Sequence, residues 1–142
     1  MRAAHIESFI AFHEGMSPET VDNISDFYTA DAYFKDPFNE VTGVGKIEDI
    51  FRKMFHQVED PHIVVRHWSG DERDGFVVWD LCFRSRRMRG GDDQVIHGVS
   101  HIRFDMSGKA TYHRDYWDTG EELYAKLPLI GGLIRWLQRR AG

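Results

Sequence analysis

At 142 residues, with a formal net charge of -5, a hydrophobic fraction of 42% and a charged fraction of 29%, the chain has the size and composition of one globular domain that needs neither disulfide nor structural metal. The acidic balance argues against a nucleic-acid partner, and the single cysteine, Cys82 between Leu81 and Phe83, reads as a small core residue in a reducing compartment. No window approaches the roughly 18 apolar residues that span a bilayer, and MRAAHIESFIAF has charges inside its apolar run and no small-residue cleavage site, so a cytoplasmic location is expected.

In chain order, Ile6, Phe9 and Ile10 recur at helical spacing with His13 next on the same face. Ser17-Pro18 then offers an N-cap and a first-turn proline, and Val21, Ile24, Phe27 and Tyr28 predict a second helix. Asp31 to Phe38 (DAYFKDPF) switches to a short extended piece that Pro37 ends. After Gly43 and Gly45, the stripe Ile47, Ile50, Phe51, Met54, Phe55 and Val58 predicts a third helix. From Pro61 the period changes. HIVVRHW (62–68), GFVVWDLCFR (75–84), QVIHGVSHIRF (94–104) and KATYHRDYW (109–117) are rich in β-branched and aromatic residues and separated by turn residues, which predicts consecutive antiparallel strands. Helices followed by a sheet make the class α+β.

Thr119-Gly-Glu-Glu122 has capping-box spacing and opens a helix expected to break at Pro128. The segment LIGGLIRWLQRR that follows carries Leu129, Ile130, Leu133, Ile134 and Leu137 on one side and Arg135, Arg139 and Arg140 elsewhere. Its favoured reading is a helix packed on its own domain or on a subunit partner. Contact with an anionic membrane surface is the alternative. The loop 84–93 (RSRRMRGGDD) reads as a solvated hairpin with local charge pairing.

Two stretches, DAYFKDPFNEVTG (31–43) and GVSHIRFDMSGKATYHRDYWD (98–118), together with the element order, resemble the nuclear transport factor 2-like superfamily. That superfamily includes ketosteroid isomerases, snoaL-like polyketide cyclases and limonene-epoxide hydrolases. The resemblance implies a cone-shaped fold, with three N-terminal helices closing one face of a curved antiparallel sheet over an apolar pocket. The domain would occupy residues 1–118 and a helical extension residues 119–142. It also implies a homodimer through the outer face of the sheet.

On the last strand alternate residues share a face, so His113, Asp115 and Trp117 point one way and Tyr112, Arg114 and Tyr116 the other. The resemblance matches Asp115 to a catalytic aspartate of the epoxide hydrolases and Asp36 to the proton-shuttling aspartate of ketosteroid isomerases. It also matches the oxyanion-hole tyrosine and protonated aspartate of those isomerases to Phe9 and Ser100, so their oxyanion hole is missing in its usual form. The arginine and second aspartate of the epoxide hydrolases fall on Leu81 and Phe83. The resulting site has Asp115, Asp36 and His113 as titratable groups, with Phe9, Phe34, Phe55, Trp79, Leu81, Phe83, Ser100 and Trp117 around the substrate.

Burial among aromatic rings would raise the pKa of such an aspartate and suit it to general-base work near neutral pH. The plainer reading makes Asp36 the cap of its turn and pairs Asp115 with Arg103 or Arg114. His97 and His101 share a strand face but lie roughly 13 Å apart along it, too far to hold one ion alone. Cross-strand pairing of His101 with Tyr112 or His113 is open, and His13 reads as a core or rim histidine. No metal and no cofactor are expected. Three functions remain: an acid/base enzyme on an apolar, oxygenated small molecule, a non-catalytic binder of a hydrophobic ligand, and an accessory subunit docking a protein partner.

Overall fold

The structure, a computed structural model, describes residues 4–85, 93–122 and 130–141. Helix α1 (Ala4–Glu14) buries Ile6 and Phe9 on one face, as its spacing dictates. Ser17 and Thr20 then bond reciprocally, Thr20 N donating to Ser17 Oγ at 3.2 Å and Ser17 N to Thr20 Oγ1 at 2.7 Å. The expected second helix is a 3-10 helix over Thr20–Asp26. Its buried residues Val21 and Ile24 are three apart, the spacing that stacks side chains in a threefold helix. Tyr28, expected on that helix, instead starts strand β1 (Tyr28–Lys35).

Asp36 and Pro37 turn the chain into the short strand β2 (Glu40–Thr42). Gly43 follows with φ 116, a conformation L side chains rarely adopt, and admits helix α2 (Val44–Gln57), which buries Ile47. Four strands follow: β3 (Glu59–Gly70), β4 (Asp74–Arg84), β5 (Asp93–Phe104) and β6 (Ala110–Tyr116). Their sheet order is β2-β1-β6-β5-β4-β3. Pairing is antiparallel between β3, β4, β5 and β6 as the sequence predicts, but β1 runs parallel to β6. That pair closes the sheet between segments about 80 residues apart in sequence, a long-range juxtaposition that periodicity does not encode. Pro61 is tolerated in β3 because β3 is an edge strand, and the ladder shifts register beside it at Asp60, whose φ is 51.

The helices cover one face of the sheet. Between them lies a core of Ile6, Phe9, Ile24, Tyr28, Phe34 and Ile47 packed on Val77, Trp79, Ile96, Ile102 and Phe104. Opposite Trp79 in the β4–β5 ladder stands Gly98, and the indole ring lies where any Cβ there would project. A register shift between Arg103 and Phe104 lets Ala110 and His113 of β6 both face inward despite their odd spacing. The outer face carries Phe76 stacked on His101 at 4.4 Å, with Val78 and Tyr116 also exposed.

Helix α3 (Thr119–Glu122) begins on Asp118 rather than Thr119: Asp118 Oδ1 accepts from Gly120 N at 2.9 Å. Glu122 is buried and accepts from His97 N at 3.0 Å, filling the edge of β5 beyond the end of β6. Helix α4 (Ile130–Ala141) follows. Most of the arginine-rich loop (86–92) and the expected break at Pro128 lie outside the described residues.

Candidate functional site

One hydrogen-bonded chain of polar groups crosses the core from α1 to β6. His13 Nδ1 lies 2.9 Å from the Phe9 carbonyl, which only accepts, so Nδ1 carries the proton. His13 Nε2 then accepts from the Tyr28 hydroxyl at 2.9 Å. The Tyr28 oxygen in turn accepts from His113 Nδ1–H at 2.7 Å. His113 Nε2 meets Asp115 Oδ1 at 2.6 Å, so one proton lies between imidazole and carboxylate. Ser100 Oγ accepts from Trp79 Nε1–H at 2.8 Å and donates to Asp115 Oδ1 at 2.5 Å.

Both bonds to Asp115 fall on Oδ1, and Oδ2 receives none among the described residues. The ring of His113 is packed by Phe34 at 4.9 Å and by Phe9 at 5.6 Å. His113 is 3% exposed, whereas the Asp115 side chain keeps 17% of its surface open. The polar chain thus runs from the buried His113 to the partly exposed carboxylate of Asp115.

The electrostatics follow from that arrangement. Burial, together with the nearby His113, pulls His13 down to about 4 against the opposing Phe9 carbonyl, so it is neutral at physiological pH. Burial and the charge of Asp115 push the Tyr28 hydroxyl well above its ordinary value. Burial alone would raise Asp115, as the sequence reading expected. The charge and bond of His113 and the bond from Ser100 outweigh it and hold the carboxyl below its usual range. Asp115 is therefore an ionised, oriented carboxylate.

Asp115 lines a cleft of about 620 Å³ with Lys35, Asp36, Pro37, Arg114, Tyr116, Trp117 and Asp118. Of the expected site residues, Asp115, Asp36 and Trp117 share this wall. Asp36 is engaged there by its own turn: Oδ1 accepts from Phe38 N at 2.8 Å and Asn39 N at 2.7 Å, and Oδ2 from Asn39 Nδ2 at 3.2 Å. Trp117 is half-buried against the edge of Phe38, their ring centres 5.6 Å apart. Phe9, Phe34, Trp79 and Ser100 are buried around the polar chain and away from that cleft; Phe83 is buried farther along β4, beside a separate depression with Cys82 and Gln94, and Leu81 packs partly buried against the core. Phe55 is half-buried and outside the core cluster. Phe51, one turn earlier on α2, faces His13 at 5.6 Å instead.

The two arginines offered as partners for Asp115 go elsewhere, Arg103 to Asp74 at 3.8 Å and Arg114 over the ring of Tyr116. His101 pairs with Asp74 at 2.6 Å and tilts its ring against Tyr112 at 5.3 Å. Among the described residues, no three His, Cys, Asp or Glu side chains are grouped to hold a metal ion.

Sequence reasoning did not include Tyr28 or a role for His13 in the site. The only signal was a histidine on the apolar face of α1, which asks for a buried partner without saying which. Among the described residues no helix is long and apolar enough to cross a membrane.

Comparison with known proteins agrees with this architecture. A protein of Catenulispora acidiphila with a ketosteroid isomerase-like fold, solved with trimethylamine, superposes at a TM-score of 0.72 with 14% identity, covering 90% of this chain and 96% of that one. An LEH-like epoxide hydrolase of M. tuberculosis superposes at 0.71 with 14% identity, covering 96% and 94%. A candidate SnoaL-like polyketide cyclase of Jannaschia sp. CCS1 gives 0.69 with 14% identity, covering 82% and 87%. At these identities the likeness is one of fold, the nuclear transport factor 2-like cone. No curated protein matches by sequence. The model of one sequence family, however, matches residues 9–113, from the phenylalanine whose carbonyl holds His13 to the histidine that holds Asp115, and on that match the chain belongs to the SnoaL-like domain family.

Proposed function

We propose that this SnoaL-like protein is an acid/base enzyme for a small oxygenated molecule with an apolar body, an isomerase, cyclase or hydrolase in which Asp115 moves the proton. The observation that carries this reading is the one-sided bonding of Asp115 on the cleft wall: Oδ1 is held by His113 and Ser100, and Oδ2 receives no bond among the described residues. A carboxylate so oriented accepts a proton from substrate carbon or from water at Oδ2 and returns it in a later step. His113 keeps it aligned and shares the neighbouring proton.

One observation favours a second reading, a non-catalytic binder. The donors of the interior, Trp79 Nε1–H, the Ser100 and Tyr28 hydroxyls and His113 Nδ1–H, are all spent within the polar chain from His13 to Asp115, so none of these is left to stabilise an oxyanion. The test is exchange of α-protons from a panel of enolisable ketones and esters in D2O, with turnover of simple epoxides alongside. Wild type should catalyse one of these, and Asp115→Asn, folded by circular dichroism, should lose about 10²-fold or more. Retained activity in Asp115→Asn would remove the catalytic reading. Saturable binding of the same compounds with neither exchange nor turnover would favour the binder.

A further inference from the structure

Helix α4 divides its apolar residues between two directions. Ile134 and Gln138 lie against Gly120 of α3, which ties the helix to the domain. Leu133, Trp136 and Leu137, at spacings of three and four, form a stripe that is 58%, 47% and 46% exposed. Arg140 stands over the Trp136 ring at 5.4 Å, so a cation borders the stripe. The expected packing on the domain therefore accounts for one side of the helix only.

The charge of this segment is opposite to that of the protein. From residue 123 to residue 142 the sequence contains Lys126, Arg135, Arg139 and Arg140 and no acidic residue, whereas the whole chain is at -5. A stripe of leucine and tryptophan edged by arginine is the composition of a helix lying in a lipid–water interface. There the apolar side chains enter the acyl boundary, the indole sits at headgroup level and the cations meet anionic headgroups. The rest of the acidic domain is repelled by such a surface, which restricts the contact to α4.

We propose that α4 docks the protein on anionic lipid bilayers through Leu133, Trp136 and Leu137, with Arg139 and Arg140 meeting the headgroups. The experiment is co-sedimentation of the full-length protein with vesicles of phosphatidylglycerol and phosphatidylcholine, against phosphatidylcholine alone, at low and high salt. Binding should need the anionic lipid and fall with salt. Arg139→Glu/Arg140→Glu should weaken it by at least tenfold, since each arginine near the surface is worth on the order of fivefold. Trp136→Ser/Leu137→Ser should weaken it comparably. All four positions are exposed, so the variants should keep the wild-type circular dichroism and thermal midpoint. Absence of binding by wild type, equal binding to neutral vesicles, or unchanged binding by both variants would overturn the proposal. So would a wild-type dimer that Trp136→Ser/Leu137→Ser converts to monomer without any vesicle binding, which would make a second copy of the chain the occupant of the stripe.

Discussion

Replacing His13 by phenylalanine should change how stability depends on pH more than it changes stability at pH 7. The ring sits 4.2 Å from Phe9 and 5.6 Å from Phe51, and phenylalanine can keep those contacts. What is lost is the bond to the Phe9 carbonyl and the bond from the Tyr28 hydroxyl, whose proton is left without its acceptor, a loss of about 1–2 kcal/mol. In wild type, folding lowers His13 from 6.5 to about 4, so between those values the unfolded chain binds a proton that the folded chain refuses. Stability is therefore complete above about pH 6.5 and falls as the pH drops toward 4. The shift corresponds to about 3 kcal/mol at full value and about 2 kcal/mol once the half-buried position of the ring is discounted. His13→Phe removes that loss. Urea unfolding followed by tryptophan fluorescence at pH 7, 6, 5 and 4.5 should show wild type ahead at pH 7 and the variant level or ahead at the acid end. Asp115, held below its usual range partly by His13 itself, withdraws its stability mainly below the pH range of this comparison. Parallel curves with a constant gap would refute the reasoning, because His13 would then be protonated equally in both states.

Tyr28→Phe removes the oxygen shared by two histidines and leaves both ring nitrogens unpartnered, a loss of about 2 kcal/mol or more. In the His13→Phe background it should cost about 1 kcal/mol less, and additive losses in the double-mutant cycle would argue against the direct bond. Gly98→Ala drives a methyl into the Trp79 ring and should cost about 1–3 kcal/mol, read as a lower urea midpoint at unchanged m-value. Asp36→Ala should lose about 1–2 kcal/mol through its turn while Asp36→Asn, which keeps an acceptor, stays within about 0.5 kcal/mol of wild type. If Asp36→Asn is folded and stable but abolishes turnover, Asp36 does chemistry as well as turning the chain.

Much of the fold was legible because it is local. The apolar stripe of α2, the alternation in β4 and β5 and the turn residues between strands are each set by side chains a few positions apart. The parallel seating of β1 on β6 was not, because nothing within either strand specifies a neighbour so distant in sequence. The site divides the same way. That His113 and Asp115 share a face followed from the two-residue period. That Tyr28 joins His113 to His13 depends on β1 lying beside β6 and α1 lying across them, so the partner is visible only once the chain is folded. Phe51 in place of Phe55 is a smaller case, since both belong to one helical stripe and the choice between them depends on how α2 is rotated over the sheet.

Three aspartates with few open faces separate a structural carboxylate from one fitted for chemistry. Asp80, on the outer face of β4, has Oδ1 bonded to His97 at 2.5 Å and Oδ2 bonded to Arg66 at 2.8 Å. Asp36 has both oxygens held by Asn39. Each is satisfied on both sides, and each can be explained by the local structure it stabilises. Asp115 differs. Its bonds, from His113 and Ser100, both fall on one oxygen, and the groups behind them come from β1, β4 and α1. A buried polar network contributes little net stability compared with apolar side chains of the same volume, so stability alone does not account for so many polar groups in this core. The proposed acid/base role does account for them, because a proton-transfer group must be held near its reactive geometry before the substrate arrives.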